Sequence, residues 1–131
     1  MDKPTFLLGD ADAVRRKLEL HLLNGDLKAL SSFSANLSAG IHQLALKLTE
    51  TLGAEVVFAG GDELLLTLEG PYNRELLWSR MQDFRDRTGM TISFGVGETL
   101  EQTFVNLARA KAQRPGSIWD ASTPRDSMIP E

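Results

Sequence analysis

Residues 56–68, VVFAGGDELLLTL, decide the fold of this chain. Two apolar runs flank a Gly-Gly-acid-acid turn, the pattern of a β-hairpin, because glycine adopts the backbone conformations that tight turns demand. Both runs are so rich in aliphatic side chains that we predict two largely buried strands. The hairpin places Asp62 and Glu63 at a turn where the backbone can approach a ligand closely.

A second acidic position follows the first apolar run, residues 6–12, FLLGDAD. This run predicts a short buried strand that carries Asp10 to its carboxyl end. If the strand pairs beside the hairpin, Asp10 joins Asp62 and Glu63. Carboxylates about 4 Å apart repel by several kcal/mol in a partly dry site, so a cation is needed. Oxygen ligands of this kind indicate Mg²⁺ or Mn²⁺.

Two alternatives stay open at this stage. The turn at Gly60, Gly61 and Asp62 is also compatible with an ordinary hairpin that carries a solvated acid. Asp12 is either a further metal ligand or the cap of the first helix, and we favour the cap.

The remaining pattern predicts four helices and further strands. Apolar residues at a helical period mark helices over about residues 13–23, 27–52, 74–87 and 100–114. Cap residues begin three of them: Asp26, Asn73 and Thr99. We expect Leu100, Phe104 and Leu107 to face inward from the last helix. Residues 91–97 alternate as a half-buried strand, and residues 117–119 add an edge strand.

The order of these elements predicts an α+β fold. It is a ferredoxin-like palm with a βαββαβ core, an antiparallel-rich sheet and helices on one face. Residues 1–120 form one domain, and residues 121–131, with little apolar content, are expected to be a flexible tail.

Composition excludes several classes of protein. The 131 residues are 42% hydrophobic, enough for one core, and the net charge of -4 disfavours long nucleic acid as a partner. The absence of cysteine excludes disulfides and thiolate metal sites. No apolar run is long enough for a leader or a membrane span, so we expect no membrane partner and a cytoplasmic location.

Several residues are candidates for binding phosphate or base. Lys111 and Arg114 form a basic cluster late in the last helix, although such residues often only complement the helix dipole. Ser34 and Asn36 add polar groups to the long helix, although a polar helix face needs no ligand. Gly60 and Gly61 permit close approach of a ligand. The amides that begin the first helix can cradle phosphates, and they belong to Asp12, Ala13 and Val14.

Four motifs together resemble GGDEF-type palm domains, and most of all the minimal CRISPR polymerase (mCpol) family. They are residues 6–12 (FLLGDAD), 57–64 (VFAGGDEL), 92–97 (ISFGVG) and 108–111 (ARAK). The resemblance implies two metal ions held by Asp10, Asp62 and Glu63, with the carbonyl of Ala11 as a further ligand. It also implies ATP as the substrate, release of pyrophosphate, and a cyclic dinucleotide or short cyclic oligoadenylate as product.

The same resemblance implies antiphage defence, with a separate effector that reads the product. Joining two nucleotides into a ring requires them to face each other, so we expect a homodimer or a transient face-to-face pair. The positions that recognise guanine in diguanylate cyclases here hold Val14-Arg15 and Leu18-Glu19. The alternatives are a diguanylate-cyclase-like enzyme that uses GTP, a nucleotide sensor without catalysis, and a ferredoxin-like interaction module.

Overall fold

The structure is a computed structural model that describes residues 3–123. Most of the predicted tail, residues 124–131, lies outside the described residues. The elements are β1 (Pro4–Ala11), α1 (Val14–Leu23), α2 (Leu27–Leu52), β2 (Glu55–Gly60), β3 (Glu63–Glu69), α3 (Arg74–Thr88), β4 (Ile92–Gly97), α4 (Leu100–Gln113) and β5 (Ile118–Trp119).

The strands form one five-stranded sheet in the order β2-β3-β1-β4-β5. Pairing is antiparallel except between β4 and β5, which run parallel. The predicted α+β class and the βαββαβ core, β1-α2-β2-β3-α3-β4, are confirmed. Because β1 lies at the centre, its carboxyl end meets the β2–β3 turn on one side and the start of β4 on the other.

The hydrophobic core lies between the sheet and the helices α2 and α3. Its fully buried members come from five elements and include Leu7, Ile41, Leu64, Leu77 and Phe94, each 0% exposed. Burying a side chain of this size contributes about 1.5–3 kcal/mol to folding. This layer fixes the positions of β1, β3 and β4, and therefore the residues at their ends.

Helix α4 packs on the opposite face of the sheet, so the prediction of helices on one face is wrong. A Cβ on Gly95 would lie 2.1 Å from the Leu107 amide nitrogen, which shows that the helix backbone rests almost on β4. Such a close approach selects small and polar inward residues, and Thr103 is only 1% exposed. Leu100 and Phe104, predicted to face inward, are 57% and 66% exposed.

Strand β2 also differs from the prediction, because it is exposed. Val56, Val57 and Phe58 are 43%, 56% and 45% exposed. The cause is its position as the edge strand, where the pairing with β3 is interrupted by an irregularity between Val56 and Phe58. Only β3 is a buried strand of the hairpin.

Three predicted helix caps are confirmed. Asp26, Asn73 and Thr99 each accept a hydrogen bond from the backbone amide three residues later, at 2.9, 3.0 and 3.1 Å. Helix α1 has no side-chain cap and no buried residue. Between residues 3 and 123, none of the helices has the length and apolarity that crossing a membrane requires.

Candidate active site

The sheet brings the predicted acids together at one end of β1. Asp10 lies directly opposite Glu63 on β3 and Ser93 on β4, and residues paired in this way point to the same face. The amide of Ala11 donates to the carbonyl of Asp62 at 2.9 Å, which fixes the hairpin turn against β1. The hairpin motif and the motif after β1 therefore form a single site.

The carboxylate of Asp10 is in an unusual environment. Burial raises its pKa from the ordinary 3.8 to about 6, the Lys111 ammonium opposes this shift, and the charges of Asp62 and Glu63 reinforce it. The Lys111 Nζ atom lies 3.4 Å from Asp10 Oδ2. Asp10 Oδ1 is buried and has no hydrogen-bond partner, so this oxygen can accept a bond from a ligand or a cation.

An open cavity of about 450 Å³ lies beside Asp10. It is lined by Asp10, Ala11, Ala13, Val14, Arg15, Arg16, Glu19, Asp62 and Lys111. Acids and cations thus meet in the same cavity. Arg15 and Arg16 were missed as site residues by the sequence reasoning, and the signal that could have found them is the basic run at residues 15–17 directly after the Asp10 motif.

The predicted cage of three carboxylates is not preformed. Among residues 3–123, no three acidic or histidine side chains come close enough together to form a metal cage. Glu63 is exposed and does not line the cavity, although it lies opposite Asp10. Carboxylates repel one another, and it is the Lys111 ammonium that lies against Asp10.

Asp12 does not cap α1, which corrects the interpretation that we favoured. Ala13 takes the cap position with a positive φ of 60°, and Asp12 is turned toward β4. There its side chain is buried and accepts hydrogen bonds from Thr91 and Ser93. The Asp12 amide donates to the Thr91 carbonyl at 2.9 Å, so it is not free to cradle phosphate as predicted.

Lys111, in the last turn of α4, is the basic residue of this helix that lies at the site. Its Nζ atom lies 2.9 Å from Asp12 Oδ1 and 3.5 Å from the Ala11 carbonyl oxygen. The same side chain lines a neighbouring cavity of about 430 Å³ that includes Asp12 and Thr91. The ammonium therefore lies between two cavities at the end of the sheet.

The other candidates from the sequence do not line the cavity beside Asp10. Gly60 and Gly61 are exposed in the hairpin turn, and Arg114 is exposed at the end of α4. Ser34 is exposed on α2, and the Asn36 amide donates to the Thr88 carbonyl at 3.4 Å.

Solved structures with a similar fold include chains of the Csm1-Csm4 cassette and GGDEF domains. A chain of the Csm1-Csm4 cassette in complex with cA4 has a TM-score of 0.63 and 17% identity, over 88% of this chain and 20% of that chain. The GGDEF domain of TpbB (YfiN) from Pseudomonas aeruginosa has a TM-score of 0.56 and 16% identity, over 92% and 78%. The GGDEF domain of DgcB from Caulobacter crescentus, in complex with c-di-GMP, has a TM-score of 0.60 and 11% identity, over 93% and 77%. At such identities the similarity shows the fold, and this chain spans about a fifth of the cassette chain it matches.

The fold is that of palm-like polymerase and GGDEF domains. Within that class, the minimal CRISPR polymerase (mCpol) domain matches residues 6–120, and the chain belongs to this family. Comparison with curated proteins gives no match.

Proposed function

We propose that this domain is a metal-dependent nucleotidyltransferase that joins nucleoside triphosphates and releases pyrophosphate. ATP is the favoured substrate, and the product is a cyclic dinucleotide or a short cyclic oligonucleotide. Membership of the mCpol family supports the reaction class. The choice of ATP is supported by similar structures of the Csm1-Csm4 cassette in complex with AMPPNP, pppApA and cA4.

The observation that carries the proposal is the mixed lining of the cavity beside Asp10. Acids for a divalent cation and cations for a triphosphate face the same space of about 450 Å³. Within residues 3–123, Arg16 has no acidic partner at ion-pair distance, whereas Arg15 pairs with Glu19 at 3.8 Å. A cation without an acidic partner beside a helix start is well suited to an anionic ligand.

The residues at the end of β1 fit Mg²⁺ or Mn²⁺. Asp10 offers a buried carboxylate oxygen without a partner, and both Asp62 and Ala11, whose carbonyl oxygen lies 3.5 Å from Lys111 Nζ, line the same cavity. These are hard oxygen ligands, and Glu63 is the fourth candidate because it lies opposite Asp10. One or two bound ions would supply Lewis acidity for attack of a ribose hydroxyl on an α-phosphate and would offset charge on pyrophosphate.

The residues of the chain itself bind and orient the nucleotide. Lys111 and Arg16 contact the β and γ phosphates, while the amides of Ala13 and Val14 lie at the start of α1, where its dipole favours negative charge. Holding the triphosphate in this way aligns the bond to pyrophosphate for displacement. The hydroxyl of a second nucleotide attacks from the opposite side.

Ring closure requires a second nucleotide, and we propose that a second copy of the domain holds it. Two sites facing each other across a twofold axis would each present a hydroxyl to the partner's α-phosphate. The product would act in antiphage defence through a separate effector protein.

The test is incubation of the purified protein with each of the four NTPs and Mg²⁺ or Mn²⁺. Pyrophosphate release is measured, and products are identified by mass spectrometry and linkage-specific nucleases. We expect a cyclic adenylate product from ATP. Turnover of GTP alone would show a diguanylate-cyclase-like enzyme. Saturable ATP binding without release of pyrophosphate would indicate a nucleotide sensor. No binding of metal or NTP would indicate that the domain is an interaction module.

A further inference from the structure

The Asp12 carboxylate is the centre of a dense hydrogen-bond cluster at the neighbouring cavity of about 430 Å³. It is 8% exposed and accepts bonds from Thr91 Oγ1 at 2.8 Å, Ser93 Oγ at 3.0 Å, the Gly116 amide at 2.9 Å and Lys111 Nζ at 2.9 Å. A carboxylate offers about four acceptor positions, so these donors use its capacity. Asp12 therefore has little capacity left for a metal ion or for a nucleotide.

The donors come from three separate parts of the fold. Thr91 and Ser93 lie at the start of β4, Gly116 follows α4, and Lys111 lies in the last turn of α4. Ser93 Oγ also accepts from the Gly116 amide at 3.1 Å, so the cluster holds itself together without Lys111. The Asp12 carboxylate is thus held in place by the other donors, and the Lys111 side chain is positioned by its contact with that carboxylate.

A lysine side chain without an anchor samples many rotamers, and fixing one costs up to about 2 kcal/mol. Here the ammonium is held 2.9 Å from Asp12 and 3.4 Å from Asp10, on the cavity wall. The Lys111 side chain thus loses its conformational entropy when the protein folds, before any nucleotide binds. A triphosphate that binds afterwards finds the charge already in place.

We propose that Asp12 is a positioning residue, which holds the Lys111 ammonium at the cavity for a phosphate group. This inference rests on the proposed function for its substrate, a nucleoside triphosphate. It assigns Asp12 no role in binding metal, although it lies two residues from Asp10.

A double-mutant cycle tests this coupling. We expect Asp12→Asn and Lys111→Met each to raise the KM for ATP about tenfold, with kcat changed less than about twofold. In the double variant the KM should be no higher than in Lys111→Met alone, because Asp12 acts through Lys111. Effects that multiply in the double variant would overturn the proposal. Lys28→Met, an exposed lysine on α2, is the matched control.

Asp12→Asn replaces a buried acceptor and can destabilise the protein, so Thr91→Val provides a second arm. It removes one donor and keeps the shape of the side chain. We expect it to raise the KM two- to threefold in the wild-type background and to leave it unchanged in the Lys111→Met background. An equal effect in both backgrounds would overturn the proposal.

The final arm needs neither nucleotide nor metal. In ¹H–¹⁵N NMR spectra, an ammonium held by a buried carboxylate exchanges slowly with water and gives a visible signal. We expect that signal for Lys111 in the wild type, a weaker signal in Thr91→Val and no signal in Asp12→Asn. If the signal persists equally in both variants, Asp12 does not hold the lysine. If the signal behaves as expected and no NTP is turned over, only the proposed function fails.

Discussion

At the scale of single residues, the proposed chemistry depends most on Asp10. Its carboxylate is half-buried, one oxygen has no partner, and the other is near an ammonium. An acid in such a place is unstable when ionised unless a cation is close, which is the condition under which proteins bind divalent ions. The lysine supplies part of that charge and leaves the buried oxygen free.

The pKa of Asp10 predicts how stability depends on pH when EDTA removes divalent ions. Because burial raises the folded pKa from 3.8 to about 6, the folded state holds the proton more tightly than the unfolded chain. The stabilisation is therefore complete below pH 3.8 and is lost as the pH rises through about 6. Asp10→Asn should remove this loss and increase the free energy of unfolding at pH 7 by on the order of 2 kcal/mol.

Urea unfolding of the wild type and Asp10→Asn between pH 4 and pH 8 measures this difference. The two stability curves should diverge as the pH rises. Parallel curves over the whole range would show that the environment of Asp10 does not disfavour its charge.

Replacing Asp62 should change activity without changing the stability of the fold. Its side chain lines the cavity at a turn and contributes no core contact. Asp62→Asn should therefore lower product formation more than about a hundredfold. Mutating a residue that only hydrogen-bonds to a metal ligand typically costs about 10- to 100-fold, and the loss of a ligand itself should cost more. The unfolding midpoint should stay the same. Asp86→Asn, an exposed acid on α3, is the control, and equal activity of the two variants would exclude Asp62 from the site.

Arg16 is expected to act on substrate affinity. It lines the cavity without an acidic partner in the described part of the chain, so its charge is available to phosphate. Arg16→Gln should raise the KM for ATP about tenfold or more, because a hydrogen bond to a charged group contributes about 1.5–3 kcal/mol. Arg87→Gln on α3 is the matched control. An unchanged KM in Arg16→Gln would show that the arginine is only a solvated residue of α1.

At the scale of elements, the position of Lys111 depends on how closely α4 approaches β4. Gly95 permits this contact, since a Cβ there would lie 2.1 Å from the Leu107 amide nitrogen. Gly95→Ala should destabilise the fold by about 1–3 kcal/mol, and it should also raise the KM for ATP, because α4 must shift. Gly60→Ala, where nothing lies within 4 Å of an added Cβ, is the control for stability. If Gly95→Ala unfolds at the same urea concentration as the wild type, α4 does not pack as described.

The elements show what the sequence could predict and why the rest could not be predicted. The caps Asp26 and Asn73 and the presence of a strand at residues 92–97 follow from local rules and are confirmed. The prediction that this strand is half-buried is wrong, because α4 covers its second face and the strand is buried on both. The inward face of α4 is set by its contact with Gly95 on β4. The periodicity of the helix sequence carries no information about that contact. In the same way, Asp12 stands where local rules place a helix cap. Its carboxylate instead accepts hydrogen bonds from four donors in distant parts of the chain.

At the scale of the whole molecule, the proposed ring closure uses two copies of the domain that face each other. Specific activity should therefore rise with protein concentration until the dimer is saturated, and sedimentation with ATP should show the same transition. An excess of Asp62→Asn should suppress wild-type activity by forming mixed dimers, while Asp86→Asn should not. Specific activity that is independent of concentration and of added Asp62→Asn would indicate a monomeric enzyme.

The proposed reaction depends most of all on a divalent cation held by Asp10 and Asp62 at the end of β1. Electron paramagnetic resonance of Mn²⁺ in the presence of AMPPNP measures this directly. The wild type should bind Mn²⁺ with a spectrum that differs from that of Mn²⁺ and AMPPNP alone. Asp10→Asn and Asp62→Asn should abolish the difference, and Asp86→Asn should retain it. If all four proteins give the spectrum of the protein-free mixture, these acids do not hold the metal.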